Sequence, residues 1–536
     1  MPQPADLIIT NAHIFTANPA QPAAQAIALQ GERIVFVGSS ADARAYGWQG
    51  PATRVIDAGG RTVMPGIIDT HFHMLYGALN LDGMQLEPAA SYADLSRIVR
   101  AYAAGHPDDT WLPGTGLRYN LGPGGAPLDR HHLDALVAER PIYINAFDGH
   151  TSWANTLGLK LAGILNGADA GPNSLIVMDE HGFASGELRE PGAFKPVSDL
   201  VPKPDEARKR ALLGQALRLT ASLGVTSVDN MDDSDHGLYA ALEDLGQLTC
   251  RVYMPYSVTP ATPFEALAQQ ALPRKREYAS SLLRAGSVKF FLDGVIEGYT
   301  GLLVEPYADD PATCGAANYT VEHYNRLLAE ADRLGLQVFT HACGDMAVRR
   351  VLDACQAAAQ ANGVRDSRHR VEHIELVHPQ DVPRFKQLGV IASMQPLHSP
   401  MQVDAADVWP VRVGPARWAY SFAWQTLREA GASLSFGSDW PVVTQDPLRG
   451  LHNAVNRQPW APGLPAQGQN LTAALLSYTR DAAYAEFSEH SKGQLKVGYL
   501  ADVLLLSEDI FAIDPAHIAD VRPLLTVVGG AVVYEA

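Results

Sequence analysis

Between Arg61 and Pro441 the chain returns eight times to a short apolar run bounded by Gly, Pro or a polar residue. The runs are "RTVMPGIIDTH", "GVTSVDNM", "RVYMPYS", "SVKFFLDG", "LQVFTHACGD", "RVEHIEL", "VIASMQP" and "LSFGSDWP". Most are separated by segments with helical periodicity, such as "TVEHYNRLLAEADRLG" (320–335) and "DPLRGLHNAV" (446–455). Strands that alternate with helices predict a parallel sheet, and eight units predict a closed (β/α)8, TIM-like barrel of the α/β class. A doubly wound open sheet is the alternative. The first strand is not followed by GxGxxG, which counts against its nucleotide-binding form.

The 536 residues exceed what one compact core accommodates. Residues 1–61 and 489–536 are β-rich, and neither has enough apolar residues for a core of its own. They predict one small β-sandwich built from both chain ends. Gly31 in "QGER" and the Gly529-Gly530 pair mark hairpin turns. Residues 62–75 are read as barrel strand 1, and 209–488 as the rest of the barrel. Residues 76–208 are far too many for a crossover, which needs a dozen or so. They predict an inserted subdomain with its own strand in "RPIYINAFDGHT". An insertion after a barrel strand stands at the C-terminal face, as a lid over the active site.

A net charge of −17 without any basic block argues against nucleic acid and anionic membrane surfaces as partners. A small-molecule substrate is expected instead. Four cysteines without a CxxC pair do not make a disulfide framework. The N-terminus lacks a charged segment followed by a long apolar one, and no run of about 18 apolar residues occurs. The expectation is a reduced, cytoplasmic protein.

Residues at the C-terminal ends of barrel strands converge on one mouth. His71 and His73 share a face of strand 1 through their two-residue spacing. Other strand ends supply Lys289, His341, His373 and Asp439. Singly, each has a plain structural reading: a hydrogen-bonded histidine, an Asp capping a turn, or Lys289 paired with Asp293 or Glu297. Together, four imidazoles and a carboxylate on one rim predict a metal site. A buried lysine has a depressed pKa, and its neutral amine can add CO2. The resulting carbamate could bridge two divalent ions about 3.5–4 Å apart.

The motifs "PGIIDTHFH", "VKFFLDG", "THACGD", "RVEHIEL", "SMQPLH" and "GSDWPV" resemble, in order, those of the amidohydrolase superfamily. The branch they resemble is that of N-substituted formamide deformylase and YtcJ-like hydrolases. The resemblance runs nearly end to end and includes "DGHTSWAN" in the insertion. It implies a barrel with two divalent ions, most often zinc. His71, His73 and Asp439 would hold one ion, His341 and His373 the other, and carboxylated Lys289 would bridge them. It also implies a homodimer.

The expected reaction is hydrolysis of a non-peptide C–N bond by a metal-activated hydroxide, in an N-substituted formamide or other N-acyl amine. Asp439 would carry the proton to the leaving group. A second donor for the oxyanion is assigned to His150, against the alternative that it fixes a loop. Tyr119, Trp153, Glu297 and Trp440 are candidate substrate contacts, with core packing as the alternative for the aromatics. Cys343 is read as a packing residue. Ester, carbamate or lactone cleavage, deamination, and a non-catalytic metal-binding scaffold are the competing readings.

Overall fold

The computed structural model describes residues 3–45, 47–171, 173–233, 235–403 and 407–536. Its central sheet contains the eight strands read from the sequence. They are β1 (Ile67–Phe72), β2 (Val225–Asn230), β3 (Arg251–Ser257), β4 (Leu283–Phe291), β5 (Gln337–Ala342), β6 (Arg370–His373), β7 (Ile391–Met394) and β8 (Leu434–Phe436). They lie in chain order and every hydrogen-bonded pair is parallel.

The ring closes where the ends of β1 and β8 meet. Asp439 donates its amide to His71 O (2.7 Å), and His73 donates to Trp440 O (2.9 Å). Asp69 accepts the Ser438 amide at 2.9 Å. Gly437 permits this approach: a Cβ there would stand 2.5 Å from the His71 nitrogen. The helices pack outside through apolar stripes. Thr320 caps the helix Val321–Arg333, which buries Tyr324, Leu327, Leu328 and Ala331. That i, i+3, i+4, i+7 spacing is the core face of a helix.

Both chain ends build two further sheets. One has four strands (Leu7–Thr10, Ala26–Gln30, Arg33–Gly38, Arg54–Asp57). The other has six and joins His13–Phe15, Ala23–Ala24 and Thr62–Pro65 to Val503–Leu506, Pro523–Val528 and Ala531–Glu535. Ile9, Ile27, Val63, Val503 and Val527 share one core. Gly529 and Gly530, at φ 54° and 77°, form the terminal hairpin turn.

One boundary differs from the reading of residues 62–75 as a single barrel strand. Thr62–Pro65 pairs antiparallel with Val503–Leu506. The barrel begins only at Ile67, because Gly66 separates two apolar runs that composition alone does not distinguish.

The insertion carries a six-stranded sheet running from Met84–Gln85 to Ala184–Arg189. Apolar clusters around Leu95, Leu112 and Ile144, and around Leu159, Leu188 and Val197, give it a core of its own. Among the described residues no helix is long and apolar enough to cross a membrane.

Candidate metal centre and substrate cavity

At the C-terminal mouth of the barrel each of four histidines commits one ring nitrogen to an acceptor. His71 donates from Nδ1 to Glu372 (2.7 Å) and His73 from Nδ1 to Asp232 (2.5 Å). His373 donates from Nδ1 to Gln395 Oε1 (2.9 Å), and His341 from Nε2 to the Gly294 carbonyl (3.1 Å). Such contacts fix tautomer and ring orientation, which leaves the opposite nitrogen of each ring for a ligand.

Two of the free nitrogens lie beside Asp439. Its Oδ1 is 3.2 Å from His73 Nε2 and 3.4 Å from His71 Nε2. His71, His373 and Asp439 offer ligand atoms that all lie within 4.8 Å of one another. The His341 and His373 rings are 4.4 Å apart between centroids. His373 Nε2 and Asp439 Oδ1 are buried without a hydrogen-bond partner. An unpaired buried polar atom costs about 1–3 kcal/mol, which a bound cation offsets.

Electrostatics agree with this donor set. Burial first, and neighbouring positive charge second, hold His71, His341 and His373 well below the ordinary imidazole range. They are therefore neutral, the form that binds metal. Burial also acts against charge on His73, but Asp232 outweighs it and lifts the pKa to about 9. A divalent ion would displace that proton. The residues present fit a metal.

The backbone is strained where the ligands sit. His373, Ile374 and Asp439 adopt φ of 75°, 51° and 64°. Left-handed backbone at such residues costs on the order of 1–3 kcal/mol each and persists only where its surroundings enforce it. The turn at His373 explains how Glu372 and His373, consecutive in sequence, serve one centre. Glu372 points into the barrel to orient His71, where Arg370 donates to it from Nε (2.8 Å) and also pairs with Asp229.

Lys289 is fully buried on β4, with Nζ 3.4 Å from His71 Nε2 and 4.7 Å from the Phe291 ring centroid. Burial, partly opposed by Glu372 and Asp439, lowers its pKa to about 8. The alternative pairing with Asp293 or Glu297 does not occur. Asp293 accepts the amides of Leu302, Cys343 and Gly344 instead. Cys343 is buried as a packing residue, its thiol pushed well up by burial.

The insertion brings a second set of groups to the mouth. His150 donates from Nδ1 to Glu190 (3.0 Å), and its ring lies 5.3 Å from that of His341. Burial disfavours its charge, yet Glu190 raises the pKa to about 9. Glu190, itself at φ 64°, accepts from Thr300 Oγ1 (2.7 Å) and so ties the insertion to the loop after β4. A cavity of about 880 Å³ opens between insertion and barrel, lined by His71, His73, His150, His341, His373, Asp439 and Glu297 among others.

Three expected substrate contacts lie elsewhere. Trp153 is buried in the insertion's core. Trp440 packs on Phe72, 5.2 Å between ring centroids, and over Gly77, where a Cβ would meet its ring at 2.2 Å. Tyr119 hydrogen-bonds Asp148 (2.7 Å) and Thr151 (2.8 Å), and reaches the cavity only through Asp148. Aromatic character near a predicted mouth does not separate lining from support, because both positions favour large rings.

Sequence reasoning missed Asp232, Glu372, Gln395, Glu190 and His398. His398 stands with Nε2 3.6 Å from Asp439 Oδ2 and Nδ1 3.7 Å from Glu375. Three of these lie inside motifs already singled out, Glu372 in "RVEHIEL" and Gln395 and His398 in "SMQPLH". Their positions were visible, but their pairings join distant elements.

The sequence pattern of the amidohydrolase family matches residues 54–534. Protein LONG AFTER FAR-RED 3 of Arabidopsis thaliana is 31% identical, over 99% of this chain and 92% of its own length. Putative amidohydrolase YtcJ of Bacillus subtilis (strain 168) is 29% identical, over 90% and 91%. N-substituted formamide deformylase of Arthrobacter pascens is 25% identical, over 100% and 99%. An uncharacterized metal-dependent hydrolase from Pyrococcus furiosus superposes with a TM-score of 0.71 at 26% identity, over 95% of this chain and 99% of its own. With the barrel, the converging imidazoles and the family pattern in agreement, the chain belongs to the YtcJ-like branch of the amidohydrolase family and is a metal-dependent hydrolase.

Proposed function

We propose that the enzyme hydrolyses a C–N amide bond in an N-substituted formamide or other N-acyl amine. The observation that carries this reading is the Asp439 Oδ1, without a hydrogen-bond partner, beside the His71 and His73 imidazoles on the lining of the cavity. The end-to-end similarity to N-substituted formamide deformylase supports the choice of amide.

His71, His73 and Asp439 would hold one divalent ion and His341 and His373 a second, with zinc the proposed metal. Lys289 is proposed as the bridge. Its buried amine has no ion-pair partner among the described residues and would add CO2, losing a proton as the new C–N bond forms. When bound, the metal lowers the pKa of water toward 7 and polarises the scissile carbonyl.

The chain's own groups do the rest. Asp439 accepts the proton of the attacking water and returns it to the leaving nitrogen. His150, kept protonated by Glu190, donates a hydrogen bond to the carbonyl oxygen as negative charge develops there. Glu190 also holds the insertion over the site through Thr300, which limits water entry.

Elemental analysis of protein purified without chelators tests the centre: two ions per chain are expected, and one would leave Lys289 an ordinary lysine. Product analysis on a panel of formamides, acetamides, esters and lactones tests the reaction. Amine plus acid is the expected outcome. Release of ammonia, or turnover confined to esters, would reject the amide reading.

A further inference from the structure

Glu297 is a half-buried carboxylate on the cavity lining with no side-chain hydrogen-bond or ion-pair partner among the described residues. Asp293 spends its oxygens on three backbone amides. Asp148 holds Tyr119 and the His150 amide, and Glu190 holds His150 and Thr300. Beyond its own backbone amide, Glu297 makes no hydrogen bond or ion pair to any described residue, although it lines the cavity.

Glu375 faces the same space. It is 6% exposed, accepts at Oε2 from Trp409 Nε1 (2.7 Å), and has His398 Nδ1 3.7 Å from Oε1. Burial, then repulsion from Glu375 and Asp148, raises the Glu297 pKa, against a smaller opposing pull from Arg412. A cation seated there would relieve both the desolvation and the repulsion. The guanidinium groups on the cavity lining, Arg118 and Arg449, are solvent-exposed at its rim.

We propose that Glu297, with Glu375 beside it, forms a subsite for a cationic nitrogen on the substrate, so that the preferred substrates are N-acyl amines carrying a second, protonated amine. This rests on the N-acyl amine reading and narrows it.

The test uses the metal-loaded full chain and two readouts. Calorimetry compares three ureas of one length: N-pentylurea (neutral), N-(4-aminobutyl)urea (cationic) and 4-ureidobutyrate (anionic). The cationic probe is expected to bind at least 10-fold more tightly than the neutral one, and Glu297→Gln to bring that ratio below about 3-fold. Equal binding of the three, or preference for the anionic probe through Arg118 and Arg449, would overturn the proposal. So would a preference that survives Glu297→Gln. The wild-type comparison decides the matter even if the variant misfolds.

The second readout is kcat/KM on the matching N-pentylformamide and N-(4-aminobutyl)formamide, with the same ratio expected. If neither is cleaved while the cationic urea still binds preferentially, the amide reading fails and the subsite stands.

Discussion

The rim of the cavity has two halves built on different principles. The barrel half supplies His71, His73, Lys289, His341, His373 and Asp439 from strand ends that a closed hydrogen-bonded ring holds in place. The insertion half supplies His150, Glu190 and Asp148 from a separate sheet with its own core. The barrel half is the proposed ligand cage. The insertion half is proposed as a lid, joined to the barrel at the cavity by the Glu190–Thr300 hydrogen bond. Chemistry common to many substrates can reside on the first, while selectivity and oxyanion support can vary on the second.

If that division holds, damage to the two halves should separate in kind. The largest effect is expected from Asp439→Asn, which removes the proton carrier: kcat should fall at least 10³-fold, about 4 kcal/mol, with the fold retained by circular dichroism. Near-normal turnover would break the assignment. Next comes His150→Gln in the lid. A fall of about 10²–10³ in kcat is expected, with metal per chain unchanged by elemental analysis. Loss of metal in that variant would erase the distinction between the halves.

A third change probes the cage from behind. Asp232→Ala leaves His73 without its acceptor, and metal affinity measured by competition with a chelator should weaken about 10–100-fold. The smallest effect on activity is expected from Trp153→Phe. If this ring supports the lid's core, the thermal midpoint should drop, by the equivalent of about 1–3 kcal/mol, while KM stays within twofold. A large KM change with unaltered stability would return Trp153 to the substrate site.

The barrel half was legible because its information is local. Eight strands appeared as eight apolar runs, and ligands at strand ends needed only the barrel's convergence to be brought together. His71 and His73 even carry their shared direction in a two-residue spacing. The orienting partners were not legible. Asp232 on His73, Glu372 on His71 and Glu190 on His150 join residues 159, 301 and 40 positions apart. Nor was the split at Gly66, since Thr62–Pro65 and Ile67–Phe72 are both fully buried strands, separated by one residue, that differ in which strand they pair with.

The sequence by itself determined the fold class, the order of strands and the chemical types at the mouth, because periodicity and strand-end position act over a few residues. The tertiary structure alone decided which nitrogen of each imidazole is free, which aromatics support rather than line the cavity, and that Glu297 lines the cavity without a side-chain hydrogen-bond partner among the described residues. Those properties depend on burial and on contacts between distant segments, and such contacts exist only once the chain has closed on itself.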